Sequence, residues 1–271
     1  MPTATINGVQ LHWELTGSSG QQLVLVHGSW GDHHNWDLVA PGLAAAFRVL
    51  TFDRRGHSQS ERLVGQGSVE DDVSDLEGLI ENLGLAPAHI IGNSFGGSIV
   101  LRLAARRPEL FRTLVAHEPP LFGLLADQPE AQGALSEIRG RIAAVAQLLE
   151  TGEAVAGAQQ FVETIAFGPG TWDQLPAALR ETFVFNAPTW LDEVRDPLSL
   201  HLDLRKLRGF TRPAMLSGGG ESPPFFGAVL DKLAGALPRA TRATVAGAGH
   251  VPHLSHPDHY VRMVADFASA D

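Results

Sequence analysis

The hexapeptide GNSFGG, residues 92–97, follows directly on an apolar run at 89–91 and precedes an amphipathic stretch, 98–107, that stops at Pro108. Its Gly-x-Ser-x-Gly pattern lies between a predicted strand and a predicted helix, which indicates a tight turn that holds a serine side chain above a sheet. The start of the following helix points N–H groups and the positive end of its dipole toward that serine. We therefore expect Ser94 to be a nucleophile.

Short apolar runs alternate with helix-compatible stretches along the first half of the chain. The runs lie at 23–27, 48–53 and 89–92, and Asn7-Gly8 favours a two-residue hairpin ahead of them. The central residues of each run are consecutive apolar residues, as expected for strands that are buried on both faces of a parallel sheet. The pattern predicts an α/β fold in which a hairpin precedes a mainly parallel sheet.

Residues 69–83 have apolar side chains at helical spacing, and their acidic run, residues 70–72, lies in the first turn. The helix dipole favours acidic side chains there, so we interpret the run as a helix start rather than a metal site. From residue 121 to about 209, Ala, Leu, Glu and Gln dominate and strand signals fade. Strand-like residues return at 214–217 and 243–246, so a helical insertion interrupts the sheet-forming sequence.

Composition narrows the class of protein. The 271 residues are 44% hydrophobic and 18% charged, as in an ordinary folded protein. The formal net charge is -10 and the basic residues are scattered, so we expect neither a nucleic acid nor a membrane as partner. Absence of cysteine excludes disulfides and a cysteine nucleophile. The first residues lack a secretory pattern and no apolar run approaches the ~20 residues of a membrane span, so we expect a cytoplasmic protein.

The motif HGSW, residues 27–30, follows the first predicted buried strand. A serine nucleophile needs a second group that donates hydrogen bonds to the developing oxyanion, and this position after a strand suits one. We expect the backbone N–H groups of Ser29 and Phe95 to form the oxyanion hole. Trp30 is predicted to line the substrate pocket.

Ser94 also needs a general base, and the chain has 12 histidines. His250 lies in the loop GAGHVP, residues 247–252, after the last predicted strand, where an accessible imidazole can face a nucleophile. His33, His34 and His57 are interpreted as loop or pocket-rim residues. Three further histidines follow too closely on the loop or the last helix for all of them to point inward: His253, His256 and His259. No metal ligands are predicted among them.

At this point the chain resembles the α/β-hydrolase family over nearly its full length. The resemblance depends on HGSW at 27–30, DRRGHS at 53–58, the glycine-rich turn at 92–97, and Gly249-His250. It implies an eight-stranded, mainly parallel sheet with helices on both faces and a helical cap inserted after the sixth strand. The core would then be residues 1–120 and 209–271 and the cap residues 121–208. It also implies a reaction without a cofactor, and a structural rather than catalytic role for Asp53.

The carboxylate that orients His250 is harder to assign. The family usually supplies it from the loop after the seventh strand, here residues 217–223, which contains no aspartate. Alignment of that loop places either Ser222 or Glu221 at the acid position. A second location is the loop after the sixth strand, where Glu118 follows His117.

Zearalenone lactone hydrolases are similar in this respect, with a His-Glu pair after the sixth strand and a comparable ending, here HVPHLSHP at 250–257. We therefore favour Glu118 as the triad acid, keep Glu221 as the alternative, and place Asp127 third. A structural role for Glu118 beneath the cap stays open.

These residues predict hydrolysis of a small-molecule carboxylic ester or lactone through an acyl-enzyme intermediate on Ser94. The expected pocket residues are Trp30, Leu121, Phe122 and Trp190. One alternative is C–C bond hydrolysis of ring-fission products, whose hydrolases have a similar glycine-rich turn. Another is a noncatalytic ligand-binding protein on the same fold. Cap helices can also pair between subunits, so the sequence is compatible with a homodimer.

Overall fold

A computed structural model describes residues 2–270. Within them, eight strands form one sheet: β1 Thr3–Ile6, β2 Val9–Thr16, β3 Gln21–Val26, β4 Phe47–Phe52, β5 Ala88–Asn93, β6 Phe111–His117, β7 Ala214–Gly219 and β8 Ala240–Val245. Their order across the sheet is β1-β2-β4-β3-β5-β6-β7-β8. Strand β2 runs antiparallel to β1 and β4, and the remaining neighbours run parallel. The predicted sheet of eight mainly parallel strands is confirmed.

Helices cover both faces of this sheet. They are α1 Ala40–Leu43, α2 Val69–Asn82, α3 Phe95–Arg106, α4 Gln132–Glu150, α5 Ala154–Phe161, α6 Ala177–Arg195, α7 Leu204–Leu207, α8 Pro224–Ala234, α9 Pro252–Ser255 and α10 Pro257–Ser269. In β3, Val24 and Val26 belong to the apolar core with α2, α3 and α8, whereas Leu23 and Leu25 belong to the core with α1 and α10. The buried part of the strand, residues 23–26, is apolar because each face packs against a helical layer.

The helix expected from residue 98 begins three residues earlier, at Phe95. The N–H of Ser98 donates to the carbonyl oxygen of Ser94 at 3.2 Å, so the first turn of α3 closes on the serine itself. Helix α2 begins at Val69, as predicted, and its first turn is closed by a capping box between Ser68 and Asp71.

Helices α4 to α7 lie between β6 and β7, within the predicted insertion. Helices α4, α5 and α6 pack around a third apolar cluster, which includes Trp30 from the loop after β3. The division into a core and a cap at residues 121–208 stays a prediction. No helix within residues 2–270 is long and apolar enough to cross a bilayer.

Candidate active site

Ser94 lies between the end of β5 and the start of α3, with φ of 54° and ψ of -122°. Positive φ is unusual for a residue with a side chain, and the surrounding backbone enforces it. A Cβ atom at Gly92 would lie 2.3 Å from the Gly96 carbonyl oxygen, and one at Gly96 would lie 2.2 Å from the Val26 carbonyl oxygen. The N–H of Ser94 donates to the His117 carbonyl at 2.8 Å. Two glycines therefore allow the sharp turn that leaves Ser94 half-buried at the carboxyl edge of the sheet.

His250 is paired with a buried carboxylate. Its Nδ1 lies 2.7 Å from Oε2 of Glu118, the residue that follows β6. The other carboxylate oxygen of Glu118 accepts a hydrogen bond from the N–H of Gly219 at 2.7 Å, and the side chain is 1% exposed. Both oxygens are thus fixed, so the carboxylate holds one edge of the imidazole.

The surroundings of Glu118 keep it ionised. Burial raises its pKa, but the hydrogen bond and the positive charge that His250 can carry outweigh burial, and the pKa is lowered overall. The Ser222 side chain adds to this lowering. His117 lies nearby, with Nε2 3.8 Å from Oε2 of Glu118, but burial lowers its pKa to about 4. His117 is therefore neutral at pH 7, and His250 is the imidazole that Glu118 can stabilise as a cation.

A hydrogen bond from a side chain to the backbone joins the serine turn to the histidine loop. The side-chain amide of Asn93, the residue before Ser94, donates to the His250 carbonyl at 3.0 Å. A Cβ atom at Gly28 would lie 3.0 Å from Cβ of Ser94, so the loop after β3 packs directly on the serine. Among residues 2–270, no hydrogen bond joins the Ser94 hydroxyl to His250 itself. Such bonds are often long in unliganded sites and shorten when substrate binds.

The two predicted oxyanion donors are available. The N–H groups of Ser29 and Phe95 donate to no other group among residues 2–270. Phe95 is the first residue of α3, where backbone N–H groups have no partner inside the helix. Ser29 follows Gly28 and Phe95 follows Ser94, and Gly28 packs against Ser94, so both unpaired donors belong to residues next to this contact.

Helix α6 holds the loop that carries Ser29. The Ser29 hydroxyl donates to the carboxylate of Glu193, which also accepts from Arg54 at 2.7 Å. Arg54 is paired with Asp72 of α2 as well, at 3.1 Å, and all three charged side chains are at least nine-tenths buried. Burial raises the pKa of Glu193 despite the charge of Arg54. A buried ionic cluster therefore connects α6 and α2 to the candidate oxyanion loop.

A second contact from α6 reaches the same loop. The side-chain amide of Asn186 donates to the carbonyl oxygens of Trp30 at 3.1 Å and Gly31 at 3.0 Å. Its oxygen accepts from the N–H of Ser58 at 2.8 Å. Trp30 has φ of 67°, so Asn186 fixes a strained backbone segment directly after Ser29.

A family model described as alpha/beta hydrolase fold matches residues 22–257. The chain belongs to the α/β-hydrolase family. The resemblance and the fold predicted from the sequence are confirmed by this match.

Proteins similar to this α/β hydrolase are named for different activities. This chain is 27% identical over 258 residues to the sn-1-specific diacylglycerol lipase ABHD11 of Mus musculus. The match covers 90% of this chain and 80% of that protein. This chain is 35% identical over 112 residues to the 2-hydroxy-6-oxononadienedioate/2-hydroxy-6-oxononatrienedioate hydrolase of Paraburkholderia xenovorans. That match covers 40% of this chain and 39% of that protein. The chain spans less than half the length of the curated relatives that it matches at 35–38% identity.

The solved structure of the enol-lactonase from Burkholderia xenovorans LB400 has the same fold as this hydrolase. The TM-score is 0.80 at 24% identity, and the match covers 99% of this chain and 100% of that chain. At this identity the likeness supports the fold alone.

The other acids considered for this hydrolase lie elsewhere. Glu221 is exposed, and the carboxylate that contacts His250 is Glu118 instead. Asp127 is also exposed and forms an ion pair with Lys232 at 3.0 Å. The triad stays a prediction, but of the three carboxylates only Glu118 contacts the imidazole.

The aromatic side chains beside the loop after β3 pack against one another. Trp30 has no exposed surface, because Phe161 stacks on it at 4.7 Å between ring centroids and Trp190 lies 5.3 Å away. Leu121, Phe122 and Trp190 are also buried. The assignment of these three residues and Trp30 to a substrate pocket stays a prediction. His57 lies in the loop after β4 and His33 in the helical turn His33–Trp36, and both side chains are buried.

Phe226 was missed by reasoning from the sequence. This residue of α8 stacks on the His250 imidazole, with 4.8 Å between ring centroids and 21° between planes. It also contacts Phe225 and Phe122, at 4.9 and 5.7 Å. The signal was the pair of phenylalanines directly after the glycine-rich loop at 217–223, but the sequence alone does not show that one ring turns toward His250.

Proposed function

We propose that the protein is a serine hydrolase that cleaves a carboxylic ester or lactone through an acyl-enzyme intermediate on Ser94. The observation that carries this proposal is the buried Glu118 carboxylate, 2.7 Å from Nδ1 of His250, beside the sharp turn that presents Ser94. A carboxylate, an imidazole and a hydroxyl in this order form the arrangement that activates a serine for acyl transfer.

In the first half of the reaction, Nε2 of His250 accepts the proton of the Ser94 hydroxyl while Oγ attacks the carbonyl carbon. The negative charge that develops on the carbonyl oxygen is held by the N–H groups of Ser29 and Phe95. Glu118 stabilises the imidazolium through Nδ1. The carbon–oxygen bond of the ester then breaks, and the alkoxide takes the proton from Nε2, which leaves an acyl group on Ser94.

In the second half, water replaces the alcohol. His250 accepts a proton from water, the hydroxide attacks the acyl carbon, and the same two N–H groups hold the oxyanion. The bond to Oγ breaks, Ser94 recovers its proton from His250, and a carboxylic acid leaves. Each half uses the same groups, so loss of one of them slows both.

A serine-reactive fluorophosphonate, followed by intact-protein mass measurement, tests the proposal. We expect one adduct on the native protein and none on Ser94→Ala, together with hydrolysis of an aryl ester or a simple lactone by the native protein alone. Absence of both labelling and hydrolysis would contradict the proposal and favour the noncatalytic ligand-binding reading.

Hydrolysis of a C–C bond in ring-fission products is the second candidate. It is supported by the 35% identity over 112 residues to a hydrolase named for such a substrate. C–C bond hydrolysis ranks second because the carboxylate that contacts His250 follows β6, whereas the family usually supplies this carboxylate from the loop after β7. A vinylogous diketone assayed beside an aryl ester separates the two, since preferential turnover of the diketone would reverse the order.

A further inference from the structure

Two buried histidines and a carboxylate lie close together between strand β2 and the helical turn His33–Trp36. His12 and Glu14 are two residues apart on β2, so their side chains lie on the same face of the strand. His33 lies in the helical turn His33–Trp36 and its ring centroid is 4.7 Å from that of His12. Oε1 of Glu14 is 3.6 Å from Nε2 of His12 and 3.8 Å from Nε2 of His33.

The two Nε2 atoms are buried without hydrogen-bond partners among residues 2–270. The side chains of His12 and His33 are 1% and 2% exposed, whereas Glu14 is 44% exposed. Buried ring nitrogens normally have a partner, so two orphaned nitrogens that face one carboxylate need an explanation. Glu14 is the one of these three residues that reaches solvent.

Asp53 has a different role in this cluster. Its Oδ1 lies 2.6 Å from Nδ1 of His33 and also accepts the His33 backbone N–H at 2.8 Å, while its Oδ2 accepts the N–H of Gln59 at 2.9 Å. These distances are those of hydrogen bonds, and the hydrogen bonds engage both oxygens of the Asp53 carboxylate. Asp53 therefore fixes the orientation of the His33 ring, with Nδ1 toward itself and Nε2 toward Glu14. Metal-binding histidines are usually held by a carboxylate in this way.

We propose that Nε2 of His12, Nε2 of His33 and the carboxylate of Glu14 form a binding site for a divalent transition-metal cation, Zn²⁺ in particular. Ligand atoms that each lie ~2.1 Å from a tetrahedral Zn²⁺ are ~3.4 Å from one another. The Nε2 to Oε1 separations of 3.6 and 3.8 Å approach that spacing. Two imidazoles and one carboxylate suit Zn²⁺ better than Mg²⁺ or Ca²⁺, which prefer oxygen ligands.

The cation would join β2 to the turn that begins at His33. It shares no residue with the Ser94, His250 and Glu118 cluster, so this inference stands apart from the proposed hydrolysis. Binding to the folded state alone would stabilise that state in proportion to the logarithm of the free metal concentration.

Titration calorimetry with ZnCl2 on chelator-treated protein tests the site. We expect one Zn²⁺ per chain, and a melting temperature that rises when ZnCl2 is added. Glu14→Gln, which changes a partly exposed side chain, should weaken binding about tenfold or more. Glu130→Gln is the matched control on an exposed glutamate and should leave binding unchanged.

Co²⁺ provides a second readout, because tetrahedral Co²⁺ absorbs visible light much more strongly than octahedral Co²⁺. The native protein should show the strong band and Glu14→Gln should lose it. Failure of Zn²⁺ to bind, or binding to either Glu14→Gln or His12→Gln that is as strong as binding to the native protein, would overturn the proposal. In that case the two histidines are part of a buried ion-pair cluster with Glu14 and Asp53.

Discussion

The hydroxyl of Ser29 donates a hydrogen bond to the carboxylate of Glu193, 164 residues further along the chain. This contact links the loop with a candidate oxyanion donor to helix α6 of the insertion. Glu193 also binds Arg54, which in turn binds Asp72, so the position of the Ser29 backbone depends on a buried cluster of charges. Helix α6 therefore contacts the candidate active site through the loop that contains the candidate oxyanion donor Ser29.

Glu193→Gln should lower kcat by about tenfold and change KM by less than about twofold. The amide places N–H groups toward Arg54, which is itself a donor, so the Ser29 loop shifts away from its position beside Ser94. Complete loss of an oxyanion donor costs ~10²-fold or more, and a displaced donor should cost less. Steady-state hydrolysis of an aryl ester gives both constants. Glu181→Gln, on an exposed position of α6, is the control. A rise in KM with kcat intact would assign Glu193 to substrate binding instead.

Glu118→Gln should reduce kcat by a factor on the order of 10³ to 10⁴. The amide N–H₂ would face Nδ1 of His250, which must then accept a hydrogen bond and leave its proton on Nε2. That tautomer cannot accept the proton of Ser94. Glu221→Gln is the matched control, because Glu221 is exposed and does not contact His250.

Aryl ester hydrolysis by the two glutamine variants decides between the acids. Severe loss in Glu221→Gln with Glu118→Gln unaffected would overturn the assignment. Equal loss in both would mean that neither carboxylate acts alone.

Acid should remove part of the stability that Glu118 contributes. The folded-state pKa of Glu118 lies below its ordinary value of 4.5, so the ionised carboxylate stabilises the folded protein. That contribution is fully present above about pH 4.5 and is lost as the pH falls through the folded-state pKa. Urea unfolding of the native protein and Glu118→Gln should therefore give a difference in unfolding free energy that shrinks on acidification below this range. A difference that is independent of pH would contradict the lowered pKa.

The sequence could predict the turn at Ser94 and the candidate acid Glu118, because both lie where a strand ends. The turn at Ser94 follows from Gly92 and Gly96, whose backbones approach others too closely for any side chain. Glu118 could be favoured over Glu221 because it directly follows β6, at the carboxyl edge of the sheet, and because the family resemblance offers an acid at that place.

Contacts made by the insertion could not be predicted in the same way. Glu193 and Asn186 contact the Ser29 loop because α6 crosses over it, and the sequence contains no pattern that specifies this crossing. The motif that contains Trp30 likewise gives no indication that its ring packs against Phe161 and Trp190. Side chains that meet between distant segments depend on packing, which periodicity and motifs do not report.

Phe226→Leu should lower kcat about two- to tenfold, with KM nearly unchanged. The Phe226 ring stacks on the His250 imidazole, and aromatic pairs contribute ~0.5–1.5 kcal/mol beyond burial, which corresponds to about that range in rate. Without the ring, His250 keeps its bond to Glu118 but can rotate out of the position that faces Ser94. Phe226 is thus a positioning residue, and it touches no reacting atom in this mechanism.

Two further variants separate positioning from general packing. Phe226→Tyr retains the ring and should restore kcat, whereas Phe225→Leu removes a neighbouring ring on α8 whose contacts are Phe122 and Phe226. If Phe225→Leu lowers kcat as much as Phe226→Leu, the effect comes from loosening of α8. If only Phe226→Leu lowers it, and Phe226→Tyr restores it, the stacked ring itself holds the imidazole in place.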